Sequence, residues 1–199
     1  MTTLSALRHA GIVFVLLFAA ACATPPAPPP GDVALVARAP IQLDVASVVL
    51  DEQYGSPARP PHVEHLHRLS PAGVASTWAR SRLVASGSRG TATLSILNGS
   101  VISEELPKKG GLTGLFGDQQ DTKLTGRLKA RLTVERPGAD GGSGRWTADV
   151  EVHASRTILE SASLNDRDAA YAALMQDLAT RFDEEMSAEV NRSMRPVLR

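Results

Sequence analysis

The chain is short of three things: cysteine, aromatic residues and net charge. It has one cysteine in 199 residues, 4% aromatics, and 21 Lys and Arg against 21 Asp and Glu. One cysteine forms no intramolecular disulfide, so stability has to come from packing. Scarce aromatics argue against a stacking platform for sugars or bases, and the absence of a basic stripe with interleaved aromatics argues against nucleic acid as a partner. No Gly-x-Ser-x-Gly elbow is present, and no glycine cluster has dinucleotide or phosphate-loop spacing. No enzyme activity and no cofactor are therefore expected. The one long apolar run, from Gly11 to the small residues before Cys22, falls short of a membrane span. Such a span needs about 20 apolar residues, and Pro25 follows too soon.

That run is instead the apolar core of a secretory signal, with Arg8 and His9 before it. Its end, Ala19-Ala20-Ala21-Cys22, resembles the lipobox of bacterial lipoproteins, with Ala19 standing where leucine is usual. The resemblance implies a signal peptide over 1–21 and a Cys22 whose thiol takes a diacylglyceryl group and becomes the mature N-terminus. It further implies an acylated, palmitate-type anchor in the cell envelope. Ala23 lacks the Asp that favours inner-membrane retention in enteric bacteria, which places the expected anchor on the periplasmic face of the outer membrane. Cleavage there leaves 178 residues, enough for a Pro/Ala-rich tether over 22–40 and one periplasmic domain over 41–199.

Within the domain, Ile41 to Ala46 alternates apolar and polar, and Val48-Val49-Leu50 breaks the alternation, so one strand is expected that either bulges or becomes buried on both faces. Residues 55–69 read as a long irregular connection. Ser70-Pro71 opens a helix predicted to reach about Ser86, with Gly87 as the residue after its end. Ala92, Leu94 and Ile96 give a strand that Asn98-Gly99 interrupts as a bulge or bend. Leu124 to Val134 and Trp146 to Ala154 form an antiparallel pair that sets Lys129 opposite Glu151 and Arg131 opposite Asp149. Ser163 or Asn165 caps a long last helix whose apolar face runs from Tyr171 to Val190, with its Asp and Glu on the solvent side.

Strand, helix, three antiparallel strands and a long helix assemble most economically as an α+β two-layer sandwich. Its sheet is four-stranded and mainly antiparallel, with both helices on one face and the first as a parallel crossover. Behind a lipobox, this order resembles small periplasmic lipoproteins that assist envelope transport. Examples are the auxiliary lipoprotein of lipid-transporting ABC systems and the lipoprotein partner of the lipopolysaccharide-assembly barrel. Pro60-Pro61-His62-Val63-Glu64-His65, Trp78 to Leu83 and Gly110-Gly111-Leu112 look like segments of an uncharacterised group of proteobacterial envelope lipoproteins. The resemblance implies a non-enzymatic accessory or scaffold protein with an envelope protein as partner. The alternative is a carrier holding a lipid or other apolar molecule between sheet and helices, where Gly126, Ala130, Ala148 and Ala154 could leave room.

Two stretches are candidate sites. His62-Val63-Glu64-His65-Leu66-His67 has metal-ligating residue types, but its spacing matches no zinc motif and prolines precede it, so a solvated or packed loop is expected. Between two strands, Lys108 and Lys109 precede a glycine-rich loop carrying Leu112, Leu115 and Phe116. Apolar side chains on such a loop suit insertion into lipid or docking on a partner, or fold back over the core.

Overall fold

The structure, a computed structural model, describes residues 33–35, 37–107, 120–137 and 142–199. The strands are β1 (Ile41–Leu43), β2 (Ser47–Glu52), β3 (Leu83–Ala85), β4 (Thr91–Glu105), β5 (Gln120–Pro137) and β6 (Ser143–Leu159). The helices are α1 (Pro71–Arg82) and α2 (Leu164–Ser193), with short 3-10 turns at Glu64–Leu66 and Arg195–Val197. A four-stranded sheet runs in the order β2-β4-β5-β6, and β1 and β3 make a separate two-stranded parallel sheet. In the larger sheet β2 lies parallel to β4 and the other pairs are antiparallel. This is the expected α+β sandwich, with α1 inside the crossover from β2 to β4.

The β5–β6 pair follows its pattern residue by residue. Leu128, Ala130, Leu132 and Val134 are buried on one face. On the other, Lys129 sits opposite Glu151 and Arg131 opposite Asp149, with ion pairs of 3.2 and 2.6 Å. A one-residue slip would drive the apolar set into water and break both pairs. On β4 the register shifts between Ile96 and Asn98, a bulge at the expected place, and the strand continues through it. The α2 helix starts on a capping box in which the Ser163 hydroxyl accepts from the Asp166 N–H, 3.2 Å, and the Asp166 carboxylate accepts from the Ser163 N–H, 3.0 Å. Its apolar stripe covers β5 and β6, and α1 covers β4.

Three expectations differ from the structure near the chain's crossings. The α1 helix does begin at Ser70, whose hydroxyl accepts from the Gly73 N–H at 3.1 Å, but it stops at Arg82 rather than Ser86. Leu83 is buried and pairs with Ile41, so a backbone ladder takes over from the helix. Gly87 is therefore no helix cap. It lies against Asp44, where an added Cβ would stand 2.4 Å from the carboxylate Oδ1. The first strand also divides: the Asp44 N–H donates to the Val197 carbonyl, 2.8 Å, and Val45 is buried, so the chain leaves β1 and enters the other sheet as β2.

The fold also begins before residue 41. Val33 is 7% exposed. The Ala34 backbone is held at both its polar groups by the Gln176 amide, 2.9 and 2.6 Å. Farther along, Arg38 reaches Asp183 and Glu184, and the Ala39 carbonyl accepts from Arg82. This segment straps along α2 in the same direction as the helix.

Candidate functional site

Residues 53–70 fold over the bulge of β4 around a buried glutamate. Glu64 is 4% exposed. Its Oε1 accepts from the Tyr54 hydroxyl at 2.7 Å and the Ser56 hydroxyl at 2.6 Å, and its Oε2 accepts from the Val101 N–H at 3.0 Å. Burial alone would push this carboxyl up, but the hydrogen bonds from Ser56, Val101 and Tyr54 outweigh it and bring the group down from its ordinary 4.5 to about 2. Burial, and then the Glu64 carboxylate, push the Tyr54 phenol upward, so it remains a neutral donor. A carboxylate this acidic is a poor general base, and its oxygens are already occupied by donors.

A cleft of about 230 Å³ opens beside this knot, lined by Tyr54, Ser56, Glu64, His67, Ser70 and Gly99 among others. The bulge permits the approach: a Cβ at Gly99 would lie 3.1 Å from the Ala72 nitrogen. His67 stacks on Tyr171 with ring centroids 3.6 Å apart and planes 16° apart, and the Tyr171 hydroxyl donates to the Leu69 carbonyl at 3.0 Å. Burial lowers the His67 pKa against the opposing pull of Asp168.

The three histidines expected as potential ligands go different ways. His62 turns its Nδ1 toward Glu64 at 3.5 Å, His65 is exposed on the 3-10 turn, and His67 lies under Tyr171. The described residues form no group of three that could hold a metal ion. The run is a packed loop around Glu64. The lipidation residue Cys22 and the loop residues Lys108, Lys109, Leu112, Leu115 and Phe116 lie outside the described residues.

A second buried carboxylate overturns one expectation for α2. Asp183, expected on the solvent side with the other acids of the helix, is 1% exposed. Its Oδ1 accepts from the Trp78 indole N–H at 2.8 Å and from Arg82 Nε at 2.9 Å, while Arg38 lies 3.4 Å from Oδ2. The position follows from helix period: Asp183 is four residues beyond buried Ala179 and four before buried Ser187. That stripe of small and polar residues beside the apolar one was its signal. Glu64 had a weaker one, a single acid within an irregular proline-flanked loop.

Between sheet and α2, the small residues are packed against rather than left open. A Cβ on Gly126 would meet Leu178 Cδ1 at 2.7 Å, and Ala130 and Ala148 are fully buried in the same core.

The sequence matches no protein-family model and no curated protein. Among solved structures, the chain is similar to a minor lipoprotein from Acinetobacter baumannii at 17% identity and a TM-score of 0.37, covering 76% of this chain and 96% of that one. It is similar to the rare lipoprotein B of Shewanella oneidensis at 13% identity and a TM-score of 0.35, covering 73% and 98%. An uncharacterised lipoprotein B from Nitrosomonas europaea is similar at 14% identity and a TM-score of 0.39, covering 80% and 97%. At these identities and scores no residue role or activity passes from those proteins to this one.

Proposed function

We propose that this protein is a lipid-anchored envelope lipoprotein, held by an acylated Cys22 on the periplasmic face of the outer membrane, with a non-enzymatic accessory or scaffold role beside an envelope protein partner. The observation that carries the reading is the run Gly11 to Cys22 with its small-residue ending, followed closely by Val33, which is buried in the domain core. Only residues 23–32 separate the cysteine from Val33, the first buried side chain among the described residues, a reach of about 40 Å at most. An anchor there keeps the domain close to the membrane surface. The chemistry of the described cleft supports binding over catalysis, because its buried carboxylate is held far into its ionised form by neutral donors. The close packing of α2 on Gly126 supports an accessory role over the carrier reading, which would need open space between helix and sheet.

Metabolic labelling with a clickable fatty acid tests the anchor. The native protein takes the label and fractionates with membranes, and Cys22→Ser loses both properties; a Cys22→Ser protein that still carries label and stays with membranes overturns the lipobox. Crosslinking in the native envelope followed by mass spectrometry tests the role. A reproducible protein partner supports the accessory reading, and a stoichiometric lipid without one replaces it with the carrier.

A further inference from the structure

At the end of the fold where β1, β5 and the last residues meet, two arginines converge on one aspartate and a third stands in the same cleft. The Asp44 carboxylate takes Arg199 on Oδ1 at 2.6 Å and Arg136 on Oδ2. Arg89 lines the same cleft with Ser88, and the lining of this roughly 110 Å³ space is polar throughout. Among the described residues neither Arg89 nor Ser88 has an ion-pair or hydrogen-bond partner. Guanidinium groups stay protonated at any physiological pH, so the lining side chains carry three positive charges against one negative. Each guanidinium presents five donors, and one carboxylate cannot engage them all.

The turn that brings Arg89 there is built for close approach. Gly87 and Gly90 bracket Ser88-Arg89. A Cβ on Gly87 would come within 2.4 Å of Asp44, and one on Gly90, at φ +88°, within 2.4 Å of the Glu135 carbonyl. The two glycines let this turn press against the chain on both sides and hold Arg89 at the mouth of the cleft. Asp44 meanwhile fixes Arg136 and Arg199 in place, so little side-chain entropy remains to be lost when an anion arrives.

We infer that this cleft is a binding site for a phosphate or phosphomonoester dianion. Guanidinium groups outnumber the Asp44 carboxylate in this lining, and a compact tetrahedral group accepts from several of them at once. Free phosphate, a phosphorylated glycan and a lipid headgroup share this chemistry.

The test is calorimetric titration of the full-length protein in detergent, with inorganic phosphate against chloride at equal ionic strength. Phosphate is expected to bind saturably and chloride to give nothing comparable. Arg89→Gln, at an exposed and unpartnered position, should weaken phosphate about tenfold or more while leaving the phosphate-free melting temperature unchanged. Equal responses to phosphate and chloride, or undiminished phosphate binding in Arg89→Gln, overturn the site. Soluble short-chain phosphatidic acid separates the sources. Binding tighter than phosphate, and lost in Arg89→Gln, assigns a headgroup; binding no tighter assigns a free or glycan-borne phosphate.

Discussion

Glu64 and Asp183 are two carboxylates buried to nearly the same degree and satisfied in opposite ways. Glu64 is held by neutral donors, two hydroxyls and a backbone N–H. Asp183 is held by an indole and two arginines. The side-chain donors on Glu64 come from 8 and 10 residues away, whereas Trp78 and Arg82 lie 105 and 101 residues from Asp183. The first acid therefore organises a loop, and the second ties α1, α2 and the entering strap together. The difference teaches what each carboxylate leaves behind when it is removed. Losing Glu64 leaves hydroxyls that can turn to water or to one another. Losing Asp183 leaves a buried cation, and a buried charge without a partner costs far more than an unpaired hydroxyl.

The largest effect should accordingly come from Asp183→Ala. Arg82 is 5% exposed, and its other contacts, the Ala39 carbonyl and the Ser187 hydroxyl, are uncharged. Destabilisation of about 3–5 kcal/mol is expected in urea unfolding. Asp183→Leu combined with Arg82→Met removes both charges and should recover most of it. If the double variant is no better than Asp183→Ala, the contrast with Glu64 fails, because the orphaned cation was not the cause.

Glu64→Gln should cost less, about 1–3 kcal/mol. A glutamine amide can present its oxygen to the two hydroxyls or to the Val101 N–H, but not to both sides, so one donor meets an NH2 group. The pH dependence gives this acid its own signature. With the folded pKa lowered from 4.5 to about 2, the stabilisation from Glu64 is complete above 4.5 and drains away as pH falls toward 2. Unfolding curves of native protein and Glu64→Gln should therefore converge across that window. A gap that stays constant through it would mean the carboxylate charge is not what the three donors stabilise.

The same contrast explains which parts were legible in the sequence. The β5–β6 register, with Lys129 facing Glu151 and Arg131 facing Asp149, follows from a period of two sustained over many residues, and every side chain votes for the same alignment. The α2 stripe and its Ser163 cap are equally local. The β1–β3 ladder is not: three residues continuing a helical pattern become a strand only because Ile41 lies beside Leu83 once the chain has folded. Asp183 was illegible for that reason too, since its partners come from α1 and from a strap assigned to the tether. Glu64 stood in plain view within His62 to His67, but the residue types drew attention to metal chemistry. Its actual partners, Tyr54 and Ser56, lie outside that run.

The smallest effect divides Asp183 within itself. Its Oδ1 faces Trp78 and Arg82 in the interior, while Oδ2 faces Arg38, whose side chain is 36% exposed. Arg38 lies at 3.4 Å, and no hydrogen bond reaches Oδ2 among the described residues. At such a rim a solvent molecule can replace the guanidinium, so Arg38→Gln should change global stability by less than about 1 kcal/mol. The local consequence is larger than the global one. Without Arg38, the strap between the Ala34 clamp on Gln176 and the Ala39 carbonyl on Arg82 loses its middle fastening. Amide exchange at Ala34, whose N–H donates to Gln176, should then accelerate while exchange in β5 stays unchanged. Equal acceleration in β5 would mean that the strap and the core open as one unit, and that Arg38 belongs to the interior half of the Asp183 cluster.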